Sequence, residues 1–301
     1  MTIADLRKEY HSRICADIVR ISPPASRGQD YPNFADGAGA SSIAIAWGLV
    51  ANLGFDIPPA GSTTKKESSG TKFELITQDF LDQAFSLLNH LRPGHFQFAT
   101  QRPISLFYQY EHLALAPQIN DLIVETGKTN SDLAILLKEA LGQDYVVKPD
   151  IVVGRTPVKD DEINCQQTVI GSDDNIAKLT PLRLVNWATP GGMILHASIS
   201  CKWTIRSDRS QNTRTEALNL IRNRKGHLPH ILALTAEPMP TRIASLALGT
   251  GDLDCVYHFA LPELVQSVTD LQNQDQLEML NMLIDGRRLR DISDLPFDIA
   301  I

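Results

Sequence analysis

The chain has 301 residues, 43% apolar and 21% charged, with a net charge of −7. That is enough length and apolar content for a well-buried core, and no apolar run reaches the roughly 18 residues of a membrane span; Ile43 to Leu53, the longest candidate, is too short. The charged start MTIADLRKEYHSR lacks the apolar core of a secretory signal, and Cys15, Cys165, Cys201 and Cys255 form no CxxC pair, so a cytoplasmic, reducing setting is expected rather than a disulfide framework or structural zinc.

Residues 1 to 20 interleave Ile3, Leu6, Ile14 and Ile18 with charge, the pattern of a helix that Pro23-Pro24 terminates. Residues 25 to 40 read as loop, and Ser41 or Ser42 is placed to cap a helix running to about Leu53. Residues 55 to 70, with Pro58, Pro59 and Gly61, read as a connection. Phe73, Ile76, Phe80, Ala84 and Leu87 fall at helical spacing and predict an amphipathic helix ending before Pro93, with Glu74 one position off its apolar line. Residues 103 to 125 show no clear period. Asn130 or Ser131 is placed to cap a helix over Asp132 to Ala140, with Gly142 just past its end.

Tyr145 to Val153 reads as a strand interrupted by Pro149, which fits an edge, a bend or a bulge. Pro181 to Val185 reads as a short extended piece. Gly191 to Lys202 is the clearest strand: Met193, Leu195, Ala197, Ile199 and Cys201 point one way, while His196, Ser198, Ser200 and Lys202 point the other, giving one apolar and one polar face. A helix over Thr213 to Arg224 follows, with Leu218 and Ile221 inward. Then come a buried strand Ile231 to Ala236, a helix from Thr241, a strand Leu253 to Phe259, a helix from Pro262 to about Leu271, and a helical tail Gln274 to Leu289 suited to packing on a partner subunit. Helices come first and strands alternating with helices follow. That order predicts an α/β fold with an added N-terminal helical part. No repeat or clear linker divides it, so a single domain is expected, with a helical part over about 1–140, a core over about 141–260 and a C-terminal helical part over about 261–301.

The residues around Lys202 carry the chemistry. From Lys202 to Lys225 there are seven basic residues opposed only by Asp208 and Glu216; in an acidic chain this fits a confined, phosphate-facing cleft, or else a solvated charged helix. Phosphodiester hydrolysis requires an activated water, neutralised phosphate oxygens and a stabilised leaving oxygen, all of which magnesium can supply through hard oxygen ligands. Asp150, heading a strand, can hold the metal, as can the backbone carbonyl of Cys201. Lys202 can reach a phosphate and its attacking water, Glu216 can add a second carboxylate, and Glu74 can add another. Singly, each also reads as an ordinary surface or strand-end residue. Arg206, Asp208 and Arg209 make a tighter group, because arginine forks onto guanine O6 and N7 while aspartate accepts from cytosine N4; the plain alternative is a surface salt-bridge cluster. His227 and His230 form no metal motif. His196 shares the polar face with Lys202 and is expected in a hydrogen-bonded structural role; its side chain leaves the strand on the face opposite Cys201, which argues against a thiol–base pair.

Pro149-Asp150, Ser200-Cys201-Lys202, Arg206-Ser207-Asp208-Arg209 and Glu216 together resemble the NgoMIV-like group of type II restriction endonucleases, within the PD-(D/E)xK nuclease superfamily. In that group the acidic residue expected two before the lysine is displaced; here Ser200 holds the position and Glu216 takes over. The resemblance implies a restriction-endonuclease-like core, a mixed central sheet flanked by helices, and Mg²⁺ as cofactor. It also implies recognition of a CCGG core through Arg206, Asp208 and Arg209. Arg242 matches an arginine that reads an outer G·C pair, with Asp36 as its partner, so that GCCGGC is the implied target, and Glu74 matches a residue near a second metal. Double-stranded DNA is the implied partner, and a dimer or a tetramer of two back-to-back dimers the implied assembly, cutting to leave 5′ CCGG overhangs in a prokaryotic cell. If Asp150 is not the ligand, Asp144 is the next aspartate to consider. Three rival readings remain: a non-catalytic DNA-binding protein, a repair or mobile-element nuclease of the same superfamily, and an α/β interaction protein with a solvated basic helix.

Overall fold

A computed structural model describes residues 1–24, 29–58, 68–115, 147–171, 176–187, 192–205, 207–249 and 251–301. The expected helix over Asp132 to Ala140, the alternative Asp144 and the first residues of the Tyr145 strand lie outside them. In chain order the described elements are α1 (Ile3–Asp17), β1 (Ile21–Ser22), β2 (Tyr31–Pro32), α2 (Ala40–Leu53), α3 (Ser69–Ser86), β3 (Phe96–Thr100), β4 (Ile151–Arg155), α4 (Asp160–Ile163), β5 (Ile194–Lys202), α5 (Ser207–Asn223), β6 (His230–Thr235), α6 (Pro240–Ala247), β7 (Cys255–His258), α7 (Leu261–Asp270), α8 (Gln274–Asp285), β8 (Leu289–Asp291) and α9 (Leu295–Asp298). They form two compact units: a first of Met1–Arg92, Ile199–Ala217 and Ile231–Ile301, and a second of Pro93–Ser198 and Leu218–His230. β5 and α5 run through both.

In the first unit the end of β5 is followed across the sheet by β6, β7 and β8. β6 to β8 are parallel, with Leu232 beside Cys255 and Val256 beside Leu289. Such strands are covered on both sides and read as near-continuous apolar runs, as Ile231 to Leu234 do. The same covering reaches both faces of β5, the polar one included. Its first eight residues are buried on both faces, and His196, Ser198 and Ser200 are 5%, 4% and 8% exposed. Period-two polarity marks a half-exposed strand only where one face meets water, and this strand is interior to its sheet.

The helices are set by local chemistry. Thr2 and Asp5 cap α1 reciprocally, Ser68 caps α3, and proline opens α6 and α7 where no N–H is needed. The cap of α2 differs from expectation. Gly39 holds the position, and Ser42, already inside the helix, accepts the Asp36 N–H at 2.8 Å, bracing the preceding loop instead. α2 packs on α7 at Gly48, where a Cβ would lie 2.2 Å from Ser267 Oγ; that hydroxyl donates to the Ile45 carbonyl at 2.8 Å. The C-terminal helix stops at Asp285, short of the expected Leu289. Leu289 instead begins β8 and pairs with Val256, because backbone pairing in a buried sheet outweighs a local helical pattern.

In the second unit β3 is antiparallel to β4, from Phe96 beside Arg155 to Thr100 beside Ile151, and β4 is next to β5. Parallel and antiparallel pairs together make the sheet mixed, with helices around it, as the resemblance implied. Residues 103–115, which show no period, form two 3₁₀ segments, Ile104–Leu106 and Tyr108–Leu115. The buried Gln109 amide donates to the Leu195 carbonyl at 2.7 Å and accepts its N–H at 2.9 Å, imitating a strand partner. The expected extended piece Pro181 to Val185 reduces to one bridge, Val158 beside Arg183, before a 3₁₀ turn at Leu184–Asn186. Arg183 turns back to clamp Asp160 with two bonds of 2.8 and 2.6 Å.

Arg7 of α1 ties the first unit together. Its guanidinium holds Glu263 of α7 at 2.7 and 2.8 Å and Asp291 of β8 at 2.8 and 2.9 Å. Burial alone pushes both carboxyls up, but the Arg7 hydrogen bonds and charge outweigh it and hold them below their ordinary values of 3.8 for Asp and 4.5 for Glu. Depressed carboxyls stabilise the fold above their unfolded values and lose that contribution as pH falls through the folded ones. Arg7→Ala should therefore lower unfolding free energy by roughly 3–5 kcal/mol at neutral pH, and should weaken the loss of stability that the wild type shows below about pH 4.5. Urea titrations at several pH values check both.

Candidate active site and cleft

Four aromatic rings pack beside the first unit's candidate residues. Trp203, 6% exposed, packs edge-on against Phe34 at 5.7 Å and Phe73 at 5.2 Å, and lies 6.0 Å from Phe259. Each of three rings adjoins a residue singled out from the sequence: Lys202 precedes Trp203, Glu74 follows Phe73, and Asp36 lies two past Phe34. Strand β5, helix α3 and the loop before α2 are thus fixed to one another by apolar burial one or two residues from the polar groups they carry.

Lys202 closes β5 and is partly exposed where its eight predecessors are buried. Cys201 is 6% exposed. Ser200, at the position of the displaced acid, places its hydroxyl 3.5 Å from that of Thr213 on α5, both buried. This contact docks the helix on the strand, with the half-buried Glu216 one turn further along. The inward stripe of α5 is Thr213, Ala217 and Leu220, not the expected Leu218 and Ile221, which are half-buried. Glu74 on α3 is half-buried as well. Asp208 and Arg209 fall in the first residues of α5, and Arg206 lies outside the described residues.

The first unit also holds a cleft of about 990 Å³. Its walls include Asp36 and the loop around it, Gln211 and Arg214 of α5, Glu237, and Thr241 and Arg242 of α6. Asp36 and Arg242, which the resemblance makes partners in reading an outer G·C pair, form an ion pair with each other here. Arg214 faces Asp252 at 3.2 Å. Glu237 went unnoticed in the sequence, although an acid between the apolar end of β6 and Pro238 is an unusual placement. It is 1% exposed. Its carboxyl accepts the Ile205 N–H at 2.9 Å and the Met239 N–H at 3.3 Å, and one oxygen lies 3.9 Å from Arg242 Nη1. Burial pushes it up to about 7, against the pull of Ile205, Arg242 and Met239.

In the second unit Asp150 sits partly exposed at the head of β4. Gln101, directly after β3, donates its backbone N–H to the Asp150 carbonyl at 3.2 Å and its side-chain amide to Asp150 Oδ1 at 3.3 Å. Gln101 adopts φ +54, a left-handed conformation uncommon outside glycine, and the sequence offered no sign of it. His196 is buried and packs edge-on against Phe96 at 5.0 Å and His230 at 5.2 Å.

The oxygen donors singled out from the sequence suit magnesium: partly exposed carboxylates and a strand-end carbonyl are hard ligands, and this ion keeps several waters and needs few protein groups. Among the described residues no three His, Cys, Asp or Glu side chains gather into a cage, and no helix is long and apolar enough to cross a membrane.

A mixed sheet flanked by helices, with an N-terminal helical part and a strand-end lysine, is consistent with a restriction-endonuclease-like core. The NgoMIV restriction enzyme family matches residues 10–301, and the chain belongs to that family of type II restriction endonucleases, part of the PD-(D/E)xK superfamily. It is 44% identical over 285 residues to the type II restriction enzyme NgoMIV of Neisseria gonorrhoeae, covering 92% of each chain. It is accordingly a DNA-cleaving enzyme. Among solved structures, the restriction endonuclease PspGI in complex with substrate DNA aligns with 77% of this chain and 60% of its own at 14% identity and a TM-score of 0.33, too distant to carry an argument.

Truncating Trp203 removes the shared contact of three site-bearing elements. Trp203→Ala should cost roughly 3–5 kcal/mol of stability, while Trp203→Phe should keep most of it. Thermal unfolding of both variants measures the difference.

Proposed function

We propose that this protein is a Mg²⁺-dependent type II restriction endonuclease that makes double-strand cuts at a CCGG-containing palindrome, GCCGGC, and leaves 5′ overhangs. The observation that carries the activity is the near-full-length match to a type II restriction enzyme. The ion pair of Asp36 and Arg242, separated by 206 residues in sequence and joined at one cleft, supports the outer G·C pair of the target. We read the chain as one endonuclease domain acting in the cytoplasm of a prokaryotic cell, as a dimer or a tetramer of two dimers.

In this reading Asp150, Glu216, Glu74 and the Cys201 carbonyl hold magnesium, which when bound neutralises phosphate charge and makes water a stronger acid. Lys202 donates hydrogen bonds to a non-bridging phosphate oxygen and to the attacking water, its ammonium presented by a rigid strand end. Gln101 holds Asp150 by both backbone and side chain, so the carboxylate meets its ligand already oriented. Arg206, Asp208 and Arg209 read the CCGG core. Arg242 donates to the outer guanine, and Asp36 accepts from the cytosine opposite.

Lys202→Ala should abolish cleavage and leave specific binding, measured by gel shift with Ca²⁺ in place of Mg²⁺; cleavage at the wild-type rate would refute the lysine's role. Arg209→Ala should cost about 1–3 kcal/mol of discrimination against altered core sequences. Chelating the metal should stop cleavage reversibly. Mapped ends that are heterogeneous would favour instead a nuclease of the same superfamily without a fixed target.

A further inference from the structure

We infer that Glu237 is a positioning residue for sequence recognition, a buried carboxylate that holds Arg242 for the outer base pair and fixes it to the strand end from which the core-reading segment departs. The inference rests on the reading of Arg242 and of Arg206 to Arg209 given above, and adds a residue and a coupling to it.

Three observations carry it. Glu237 is 1% exposed and accepts two backbone N–H groups, from Ile205 at 2.9 Å and Met239 at 3.3 Å, which orient its carboxyl. Ile205 immediately precedes Arg206, and Met239 is the N-cap of the helix that bears Arg242. One carboxyl therefore ties together the two stretches of chain that carry the proposed base contacts. Arg242 stands between unequal partners: Asp36, whose side chain is 33% exposed, and Glu237, at 1% and 3.9 Å away. An arginine that reads guanine has to turn its fork toward the base. Asp36 can release it and turn to cytosine, whereas Glu237 stays behind the guanidinium and keeps it extended into the cleft.

The charged groups around Glu237 are Arg242 from α6 and Asp36 from the loop before α2; Arg214 of α5, paired with Asp252, shares the cleft wall. His258 of β7 stays neutral there, because burial lowers it to about 4. The carboxylate is the form that attracts Arg242, and it is lost as pH falls through about 7.

The test uses the full-length enzyme with magnesium on duplexes containing GCCGGC, ACCGGT and a disrupted core, with kcat and KM measured between pH 6 and 9. The preference for GCCGGC over ACCGGT cancels steps common to both. In the wild type that preference should fall as pH drops below about 7. In Glu237→Gln it should be about tenfold lower, within the worth of one bidentate guanine contact, and flat with pH. Glu237→Asp, which keeps the charge but withdraws it by one methylene, should show an intermediate, still pH-dependent preference. An unchanged preference in Glu237→Gln, or a wild-type preference that does not move with pH, overturns the inference while the function stands. Should Glu237→Gln fail to fold, the wild-type profile and Glu237→Asp decide the matter alone. A wild type that cuts no duplex, or cuts the disrupted core as fast, defeats the functional reading and this inference with it.

Discussion

Burial of Trp203 against Phe34, Phe73 and Phe259 is the constraint on which the arrangement of the first unit depends. Apolar contact is not directional, but these rings are large, and Trp203 meets Phe34 and Phe73 in the edge-on geometry that aromatic quadrupoles favour. The consequence is geometric. A strand, a helix and a loop far apart in sequence are locked at their ring-bearing residues, and each carries its polar group one or two positions along. Lys202, Glu74 and Asp36 owe their placement to residues with no chemistry of their own. Close packing makes such placement precise, because an interior near crystal density leaves little room for drift.

The polar groups beneath the cleft follow a different rule. A buried carboxyl such as Glu237 is costly unless it is satisfied, and here two backbone N–H groups and a nearby guanidinium satisfy it. The Arg7 cluster with Glu263 and Asp291 is built alike, but it serves to join α1 to α7 and β8 rather than to face a ligand. The distinction lies in what the arginine can reach. Arg7 is enclosed by its carboxylates, whereas Arg242 lines an open cleft with the buried Glu237 3.9 Å from its guanidinium.

Much of the element order was legible in the sequence. The helices at α1, α3, α6 and α7 lie close to where periodicity, prolines and caps put them, and β5, β6 and β7 where apolar runs predict strands. The errors share one cause. The inward side of α5 and the end of the last long helix were judged from local patterns, and each was decided by what covers or pairs with the segment in the fold. Gln101 and Glu237 were missed for the same reason: their importance comes from a partner remote in sequence or from depth beneath a surface.

By itself the sequence determined the kind of chemistry available: a strand-end lysine, carboxylates at fitting separations, a basic segment and the motif pattern of a restriction enzyme. These are legible because residue type limits what a side chain can bind or transfer. Only the tertiary structure decided that Asp36 and Arg242, partners by resemblance, form an ion pair, that Ser200 meets Thr213 rather than water, and that Glu237 stands behind the cleft. Such relations arise from burial and packing between segments up to 206 residues apart, and no local spacing encodes them.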